Sequence, residues 1–205
     1  MKGSLYIISA PSGAGKTSLV SKLLELDAKI KVSVSSTTRP MREGEKDGVN
    51  YHFLSIEAFQ EKISECDFLE HAQVFDNYYG TSTSSVEAQL KAGKDVILEI
   101  DWQGAQQVRQ QIPEAISIFI LPPSKEELLR RLTGRGTDSE EVIARRMQDS
   151  VNEMSHYDEF DYIVINNNFD LALKQLHTIF SAQRLTFDRQ IAKHHVLIDT
   201  LVSQD

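Results

Sequence analysis

The sequence predicts an α/β fold in which a parallel sheet is covered by helices. Strand-like and helix-like segments alternate along its 205 residues, and this alternation favours parallel strands joined by helical crossovers. Residues 95–101 and 115–121 are strongly apolar, as expected for strands at the centre of such a sheet. A chain of this length can bury one core and still carry small inserted lobes.

Each element of this fold is indicated by a local pattern. An apolar run at residues 5–9 predicts the first strand, and a helix-like pattern then extends to about residue 26. Ser55 and Ser124 stand where helix caps are expected, and Glu127 completes a capping box with Ser124. The further strands are predicted at residues 31–35, 51–54, 68–75, 95–101, 115–121 and 162–165. The further helices are predicted at residues 56–64, 84–92, 102–111, 125–132, 139–156 and 171–184.

The stretch from residue 36 to about residue 82 differs in type from its surroundings. Residues 36–50 are polar and charged, with little helical period. Residues 68–75 alternate between apolar and polar side chains, as a strand exposed on one face does, and Asp76 and Asn77 then signal a turn. These short, one-sided strands favour a small lobe inserted between units of the parallel sheet.

The composition argues against several classes of protein. The chain carries 22 basic and 30 acidic residues, a formal net charge of −8, so broad nucleic-acid or membrane-surface binding is not expected. Its single cysteine, Cys66, excludes an intrachain disulfide. No apolar run approaches the length of a membrane span, and the N-terminus enters a strand without room for a signal peptide. We therefore expect a cytoplasmic protein.

The segment 10–17, which reads APSGAGKT, is the most informative part of the chain. It lies between the first predicted strand and a helix, which is the context in which a phosphate-binding loop works. Its backbone N–H groups and the helix N-terminus can bind phosphate oxygens, Lys16 can reach the outer phosphates, and the Thr17 hydroxyl can bind Mg²⁺. The usual pattern begins with glycine where this chain has Ala10, and an alanine fits if its φ stays below zero. The alternative is an ordinary Gly/Ser turn before a helix.

Asp101 is the second candidate, because it ends a strongly apolar predicted strand. An acidic residue at the carboxyl edge of a parallel sheet lies near the phosphate loop and can hold Mg²⁺ directly or through water. The alternative role of Asp101 is the N-cap of the helix that follows, and the two roles can coexist.

Arginine usage is the third signal. Phosphoryl transfer mainly needs positioning and cancellation of negative charge, and the planar guanidinium binds phosphate oxygens bidentately without losing its charge. Arg131 and Arg135 share a face if their helix continues that far. Solvated arginines on the surface are the alternative. The candidates are Arg39, Arg42, Arg131, Arg135, Arg145 and Arg146.

Two adjacent tyrosines beside a glycine, Tyr78 and Tyr79, are unusual for the exposed loop that the turn signal predicts. A tyrosine hydroxyl donates well to a phosphate oxygen, but a packed pair covering the core of the lobe is an equal alternative. Glu70 lies on the predicted strand before them. A carboxylate accepts two parallel hydrogen bonds from an N–H/NH₂ edge, which guanine presents and adenine does not, although glutamates on surface strands are common.

Six segments together resemble the guanylate kinases, over a match that runs from about Ser4 to about Leu176. This set is far more specific than the phosphate loop alone. The segments are residues 10–17 (APSGAGKT), 33–45 (SVSSTTRPMREGE), 48–51 (GVNY), 77–81 (NYYGT), 98–104 (LEIDWQG) and 131–136 (RLTGRG).

The resemblance implies that the chain transfers the γ-phosphoryl group of ATP to GMP, and to dGMP, with Mg²⁺, giving ADP and GDP. It implies a P-loop NTPase-type parallel sheet with helices on both faces, a small inserted mixed α/β nucleotide-monophosphate lobe and a helical lid. The core ATP-binding domain would comprise residues 1–34, 83–124 and 158–205, with the GMP-binding lobe at 35–82 and the lid at 125–157. ATP and GMP would be the partners, in purine nucleotide recycling.

The resemblance also assigns roles to residues. Those expected at ATP are Pro11, Ser12, Gly13, Ala14, Gly15, Lys16, Thr17, Ser18 and Arg135. Those expected at GMP are Ser35, Arg39, Arg42, Tyr51, Glu70, Tyr79, Thr81, Glu99 and Asp101, with Ser35, Glu70 and Thr81 reading the guanine. Those expected in catalysis are Lys16, Arg39, Asp101, Arg131 and Arg146. Thr17 and Asp101 are expected near Mg²⁺, partly through water. Glu99 stands where aspartate is also common in the family.

Two other functions compete with this interpretation. One is a non-catalytic guanylate-kinase-like interaction module, which generally lacks the lysine-containing loop that this chain has intact. The other is a P-loop kinase for another small acceptor, against which the tyrosine pair and the arginine-containing loop weigh.

The C-terminal segment lies beyond the resemblance. It carries an apolar stripe at helical spacing, formed by Val196, Leu197, Leu201 and Val202, which favours packing on the core or a homo-oligomer through the C-terminal helix.

Overall fold

A computed structural model describes residues 1–74, 76–134 and 139–203. The chain alternates strands and helices, with one short 3₁₀ turn at Tyr157–Glu159. The strands are β1 (Leu5–Ser9), β2 (Ile30–Val32), β3 (Ser36–Thr37), β4 (His52–Phe53), β5 (Phe68–Val74), β6 (Asn77–Ser82), β7 (Asp95–Glu99), β8 (Ile116–Leu121) and β9 (Tyr162–Ile165). The helices are α1 (Lys16–Leu26), α2 (Ile56–Ser64), α3 (Thr83–Lys91), α4 (Trp102–Gln111), α5 (Lys125–Thr133), α6 (Glu140–Met154), α7 (Phe169–Gln183) and α8 (Phe187–Val202).

The central sheet has five strands in the order β2-β7-β1-β8-β9, and every neighbouring pair is parallel. Because successive side chains of a strand point to opposite faces, each strand contributes to two apolar layers. Tyr6 and Ile8 pack with buried residues of α1 and α7 on one face. Leu5 and Ile7 pack with α3 and α4 on the other. The predicted α/β class, a parallel sheet with helices on both faces, is confirmed.

The topology places two chain segments at one edge of this sheet. β1 lies between β7 and β8, so the segments that follow β1 and β7 leave the sheet side by side at its carboxyl end. The phosphate loop follows β1, and Glu99 and Asp101 lie at and just beyond the end of β7. Ligands of open α/β sheets bind in the crevice at this edge.

The inserted segment forms a second sheet in the order β4-β3-β6-β5, in which β3 and β4 are parallel and the other pairs antiparallel. Its small core is aromatic. Phe59 of α2 is fully buried and stacks on Phe68 at 4.5 Å and on Tyr78 at 5.5 Å between ring centroids. Ser55 caps α2 as predicted, since its hydroxyl accepts the Ala58 N–H at 3.1 Å.

The predicted strand at residues 31–35 is divided between the two sheets. Ser33 N–H still donates to Ile97 O in the central sheet, at 2.9 Å, whereas Ser35 O accepts from His52 N–H in the second sheet, also at 2.9 Å. The run looked continuous in sequence because both halves are extended. The strand ends where the chain crosses from one sheet to the other.

The segment at residues 77–82 is a strand, β6, and the prediction of an exposed loop there was wrong. The turn at Asp76 closes a hairpin between β5 and β6. Gly80 lies where the two strands approach closely, because a Cβ there would stand 3.0 Å from the Glu70 carbonyl oxygen. Glycine and asparagine weaken a strand signal, and pairing with β3 and β5 outweighs that weak propensity.

Helix α8 has no buried residue among those that the structure describes. Val196, Leu197, Leu201 and Val202 are between 56% and 73% exposed, so the predicted apolar stripe does not pack on the core. Within the described ranges, no helix is both long enough and apolar enough to cross a bilayer.

Candidate active site

The phosphate loop has the backbone that its glycines permit. Gly13 and Gly15 have φ values of 89° and 94°, in a region that residues with a side chain rarely adopt. Ala10 does not share this conformation, because Cys66 is the one non-glycine residue with positive φ in the described part of the chain. The alanine at the first position therefore introduces no backbone strain, as the sequence required.

The side chains of Asn166 and Arg131 hold the backbone of the loop by hydrogen bonds. Asn166 is buried and its side-chain amide donates to Ala14 O at 2.7 Å. Arg131 donates to the same carbonyl at 3.3 Å and to Asn166 O at 3.0 Å, and it also pairs with Glu127. A Cβ at Gly15 would lie 2.5 Å from the Asn166 amide nitrogen. The loop glycine thus makes room for the residue that supports it.

A cavity of about 410 Å³ opens above the loop. The residues that line it include most of the predicted ATP-binding and metal-binding positions: Ala10, Pro11, Ser12, Gly13, Gly15, Lys16, Thr17, Ser18, Glu99, Ile100, Asp101, Arg131 and Glu153. Helix α1 points its N-terminus at this cavity, and no side chain within the described ranges caps that helix. Its first N–H groups and its partial positive charge therefore face the cavity, which suits an anion.

Lys16 is the cation at the centre of this cavity. Surrounding protein atoms desolvate its ammonium and lower its pKa, although part of the side chain reaches solvent. The nearby carboxylates of Glu99, Asp101 and Glu153 oppose this shift. Burial raises the pKa of Glu99 and Glu153, and Lys16 opposes that increase in both. One lysine thus interacts with three carboxylates around this cavity.

Asp101 has the helix-capping role that the sequence left open. Its Oδ1 accepts the Gly104 N–H at 2.8 Å at the start of α4, and the residue also lines the cavity above the phosphate loop. The cap fixes the carboxylate at the edge of that cavity, so the structural role and a metal-binding role are compatible.

A second polar cluster lies on the inserted sheet around Glu70. Its side chain is 8% exposed, and its Oε1 accepts the Thr81 hydroxyl at 2.6 Å. Ser35 Oγ lies 3.3 Å from the same hydroxyl. A β-bulge between Phe68 and Glu70 shifts the register against β6, which places Glu70 opposite Thr81. The three residues that the sequence assigned to guanine are therefore brought together.

Burial raises the pKa of Glu70, and the negative charge of Asp101 adds to this increase while the Thr81 hydroxyl opposes it. Both carboxylates lie near Gly104 of α4, because a Cβ there would stand 3.4 Å from Glu70 Oε2 and 3.4 Å from Asp101 Oδ1. The cluster on the inserted sheet is thereby continuous with the edge of the cavity above the phosphate loop.

A third cluster surrounds Arg39. Its guanidinium donates to both carboxylate oxygens of Glu45, at 2.8 and 3.1 Å, and lies 5.6 Å from the Tyr51 ring centroid. The pKa of Arg39 is raised chiefly by Glu45 and, to a smaller degree, by Tyr79. Tyr51 and Tyr79 form an edge-to-face pair at 6.0 Å. Arg42 is exposed and joins this cluster through its backbone, because its N–H donates to Glu45 at 2.7 Å.

The side chains of Tyr78 and Tyr79 lie on opposite faces of β6. Tyr78 stacks on Phe59 in the small core, whereas Tyr79 faces Tyr51 and Arg39. The packing interpretation therefore holds for Tyr78, and phosphate binding stays a prediction for Tyr79, since adjacent residues of a strand point to opposite faces.

Helix α6 lies against the phosphate loop. Arg146 donates to Ser12 Oγ at 2.8 Å, Ser150 Oγ donates to Ser12 O at 3.4 Å, and Glu153 accepts the Ser12 N–H at 3.1 Å. Arg145 is exposed on the same helix, and the predicted ATP-binding residue Arg135 lies outside the described residues.

Three residues of these clusters were not identified from the sequence: Glu45, Glu153 and Asn166. Each is a common polar residue in a loop, a helix or a turn. The partners of Glu153 and Asn166 are distant in the chain, and Glu45 meets Arg39 only because of the way their loop folds. Glu45 offered one signal, because it lies six residues beyond Arg39 in a segment rich in charge.

Comparison with known proteins gives consistent results. The family model described as Guanylate kinase matches residues 2–183. The chain is 69% identical to the guanylate kinase of Hydrogenovibrio crunogenus over 204 residues, which cover 100% of both chains. It is 60% identical to that of Chromohalobacter salexigens over 203 residues, covering 99% of this chain and 94% of the relative.

Solved structures agree with the sequence relatives. The crystal structure of guanylate kinase from Anaplasma phagocytophilum superposes with a TM-score of 0.76 at 32% identity, covering 99% of this chain and 97% of that one. The SH3-kinase fragment of tight junction protein 3 matches with a TM-score of 0.50 at 12% identity, covering 89% of this chain and 58% of that one. This distant similarity shows a shared fold alone.

Proposed function

The chain belongs to the guanylate kinase family and is an ATP:GMP phosphotransferase, and we propose that its three clusters form one two-substrate site. The observation that carries this proposal is the proximity of the donor and acceptor sides at Gly104. Glu70 of the inserted sheet and Asp101 of the cavity edge approach the same point at Gly104.

ATP would occupy the cavity above the phosphate loop. The unpaired N–H groups at the start of α1 and the Lys16 ammonium would bind its β- and γ-phosphate oxygens. The lowered pKa of Lys16 reflects a desolvated charge, and such a charge interacts more strongly with phosphate than a solvated one does. Arg135, beyond the described residues, stays a predicted contact of the adenine.

GMP would bind to the inserted sheet. Glu70 would accept from the N1–H and N2 groups of guanine, while the Thr81 hydroxyl, which contacts Ser35, donates to the Glu70 carboxylate. Arg39, Tyr51 and Tyr79, together with Arg42, would bind the phosphate. None of these proposed contacts depends on the 2′-hydroxyl, so we also propose that dGMP is a substrate.

The oxygen donors at the edge of the cavity suit Mg²⁺. Thr17 and Asp101 line the same cavity, and Mg²⁺ is usually held by one or two protein oxygens together with substrate phosphates. We propose these two residues as its protein contacts, partly through water. When bound, Mg²⁺ would neutralise charge on the phosphate oxygens.

The chain's own residues would then position the two phosphates and cancel their charge, with no covalent enzyme intermediate. Lys16 would hold the donor phosphates from the loop side, and Arg131 and Arg146 would reach the transferred group from α5 and α6. Arg39 would hold the acceptor phosphate in line. Closure over the cavity would exclude water and prevent wasteful hydrolysis of ATP.

We propose that the chain is organised in three units, one for each of these tasks. Residues 1–34, 83–124 and 158–205 would form the ATP-binding core, residues 35–82 the GMP-binding lobe and residues 125–157 the lid. A non-catalytic module of the same fold is not favoured here, because Lys16 and Thr17 of the phosphate loop are intact.

The setting of the enzyme is a further part of the proposal. A single exposed cysteine and two nucleotide substrates are in keeping with a cytoplasmic enzyme of purine recycling. The exposed apolar residues of α8 support association with a second copy of the chain. A truncation after Arg184 that leaves the sedimentation profile unchanged would refute that association.

A test of acceptor choice addresses the proposed acceptor site most simply. ADP release from ATP, measured by a coupled assay with GMP, dGMP, AMP, UMP and shikimate, should be fast with GMP and dGMP and slow with the other three. Similar rates with AMP would contradict base recognition by Glu70, because adenine presents an acceptor and not a donor at N1.

A further inference from the structure

Helix α6 is docked to the phosphate loop at one residue, Ser12. Arg146, Ser150 and Glu153 contact its hydroxyl, its carbonyl oxygen and its N–H group respectively. These three residues are spaced four and three apart, so they lie along one face of the helix. Ser12 therefore joins the loop at the centre of the cavity to the helix that carries a proposed catalytic arginine.

Glu153 lies at the end of α6 where the chain returns to the core. The helix ends at Met154, and His156 stacks on Trp102 at 3.5 Å between ring centroids, which fixes this end against α4. Arg146 lies seven residues earlier, which is about 10 Å along the helix axis. A contact at the fixed end thus sets the direction in which the rest of the helix, including Arg146, extends over the loop.

The contact of Glu153 is well suited to this task. A carboxylate that accepts a backbone N–H makes a charge-assisted hydrogen bond, which is stronger than a bond between neutral groups. Glu153 is half-buried, it lines the cavity, and the Lys16 ammonium partly balances its charge. The contact of Ser150 with the same serine is longer, at 3.4 Å, so it is a weaker constraint.

We propose that Glu153 is a positioning residue for phosphoryl transfer, which anchors α6 on Ser12 so that Arg146 faces the phosphate loop. The proposal rests on the role proposed above for Arg146. It assigns Glu153 an effect on turnover that is exerted through the arginine and not through direct contact with substrate.

Four variants, compared with wild type and with Arg146→Ala, test this proposal by steady-state kinetics with ATP and GMP. In Glu153→Ala the anchor is lost, and kcat should fall about tenfold to 100-fold while KM for GMP and the melting temperature stay close to wild type. Glu153→Gln keeps an acceptor oxygen for the Ser12 N–H and should retain most of kcat. Glu141→Ala, which removes an exposed carboxylate from the same helix, is the matched control and should behave as wild type.

The fourth variant combines Glu153→Ala with Arg146→Ala. If Glu153 acts through Arg146, the double variant should turn over no more slowly than Arg146→Ala alone, because residues that act as one unit are not additive. Independent, additive losses would overturn the proposal.

Two other outcomes would also decide against it. Unchanged kcat in Glu153→Ala would show that the anchor is dispensable. A lower KM for ATP in both Glu153 variants, with kcat unchanged, would show that the negative charge of Glu153 merely opposes binding of the phosphates. If Arg146→Ala itself retains full activity, the proposed role of Arg146 fails, which is distinguishable from failure of Glu153.

Discussion

At the scale of single residues, the site depends on carboxylates whose surroundings disfavour their charge. Burial raises the pKa of Glu70, Glu99 and Glu153. Each of these groups has a stabilising neighbour on the chain: the Thr81 hydroxyl for Glu70, the Lys16 ammonium for Glu99 and the Ser12 N–H for Glu153. For Glu70, the cost of this charge in the unliganded protein would be offset by the proposed donors of guanine, which would tie the affinity for GMP to the ionisation of Glu70.

Glu70 gives this relation a measurable form. Its ionised carboxylate is needed to accept from guanine, and a raised pKa means that protonation begins at a higher pH than for an ordinary glutamate. The rate constant kcat/KM for GMP should therefore fall with decreasing pH in a range above the usual glutamate pKa. Glu70→Gln should raise KM for GMP and lose this part of the pH profile, because the amide presents donors to the donors of guanine.

Glu61→Gln is the matched control for this experiment, since it removes an exposed charge from α2 beside the same sheet. Its kinetics and pH profile should follow wild type. Wild-type GMP kinetics in Glu70→Gln would remove Glu70 from base recognition.

At the scale of elements, the second sheet is attached to α3 through Asp67. Its carboxylate accepts Ser84 N–H at 2.9 Å, Lys62 Nζ at 3.0 Å and Ser82 Oγ at 2.9 Å. Partial burial alone would raise its pKa, but these hydrogen bonds outweigh burial and lower the pKa to about 2. The residue thus joins α2, β6 and α3 in one polar junction.

Asp67→Asn should therefore destabilise the protein by about 1–2 kcal/mol at neutral pH, allowing for the solvent that still reaches the group. Because the folded pKa is depressed, this stability is present above the unfolded pKa near 3.8 and is lost as pH falls toward about 2. Urea unfolding of wild type and variant from pH 7 to pH 2 should show a difference that disappears in acid.

Asp76→Asn is the control, because Asp76 is an exposed turn residue at the other end of the β5–β6 hairpin. It should leave the free energy of unfolding unchanged at every pH. A difference between Asp67→Asn and wild type that persists undiminished at pH 2 would show that the carboxylate's charge is not its source.

At the scale of the whole molecule, the sequence predicted the parallel sheet, the phosphate loop and the inserted lobe. Strong apolar periodicity marks β1, β7 and β8, and the glycines at Gly13 and Gly15 mark the loop, so local pattern suffices for both. The prediction from local pattern failed at β6, where Gly80 weakens the strand signal and pairing with two neighbouring strands decides the conformation.

The residues that hold the site in place could not be predicted from local sequence pattern, for a physical reason. Asn166 contacts Ala14 across 152 positions and Glu153 contacts Ser12 across 141, so neither contact has a signature in its own neighbourhood. The residues expected to touch substrate could be proposed from motifs. The residues that hold them in place follow from the tertiary fold.

The central claim is that donor and acceptor sites are separate halves of one active site. Lys16→Met tests it when GMP affinity and turnover are both measured, by titration calorimetry and by ADP release, with the exposed Lys22→Met on α1 as control. We predict an unchanged Kd for GMP and a kcat reduced about 100-fold or more, because only the donor half loses its charge. Near-normal turnover, or a loss of GMP binding in a folded variant, would contradict the account.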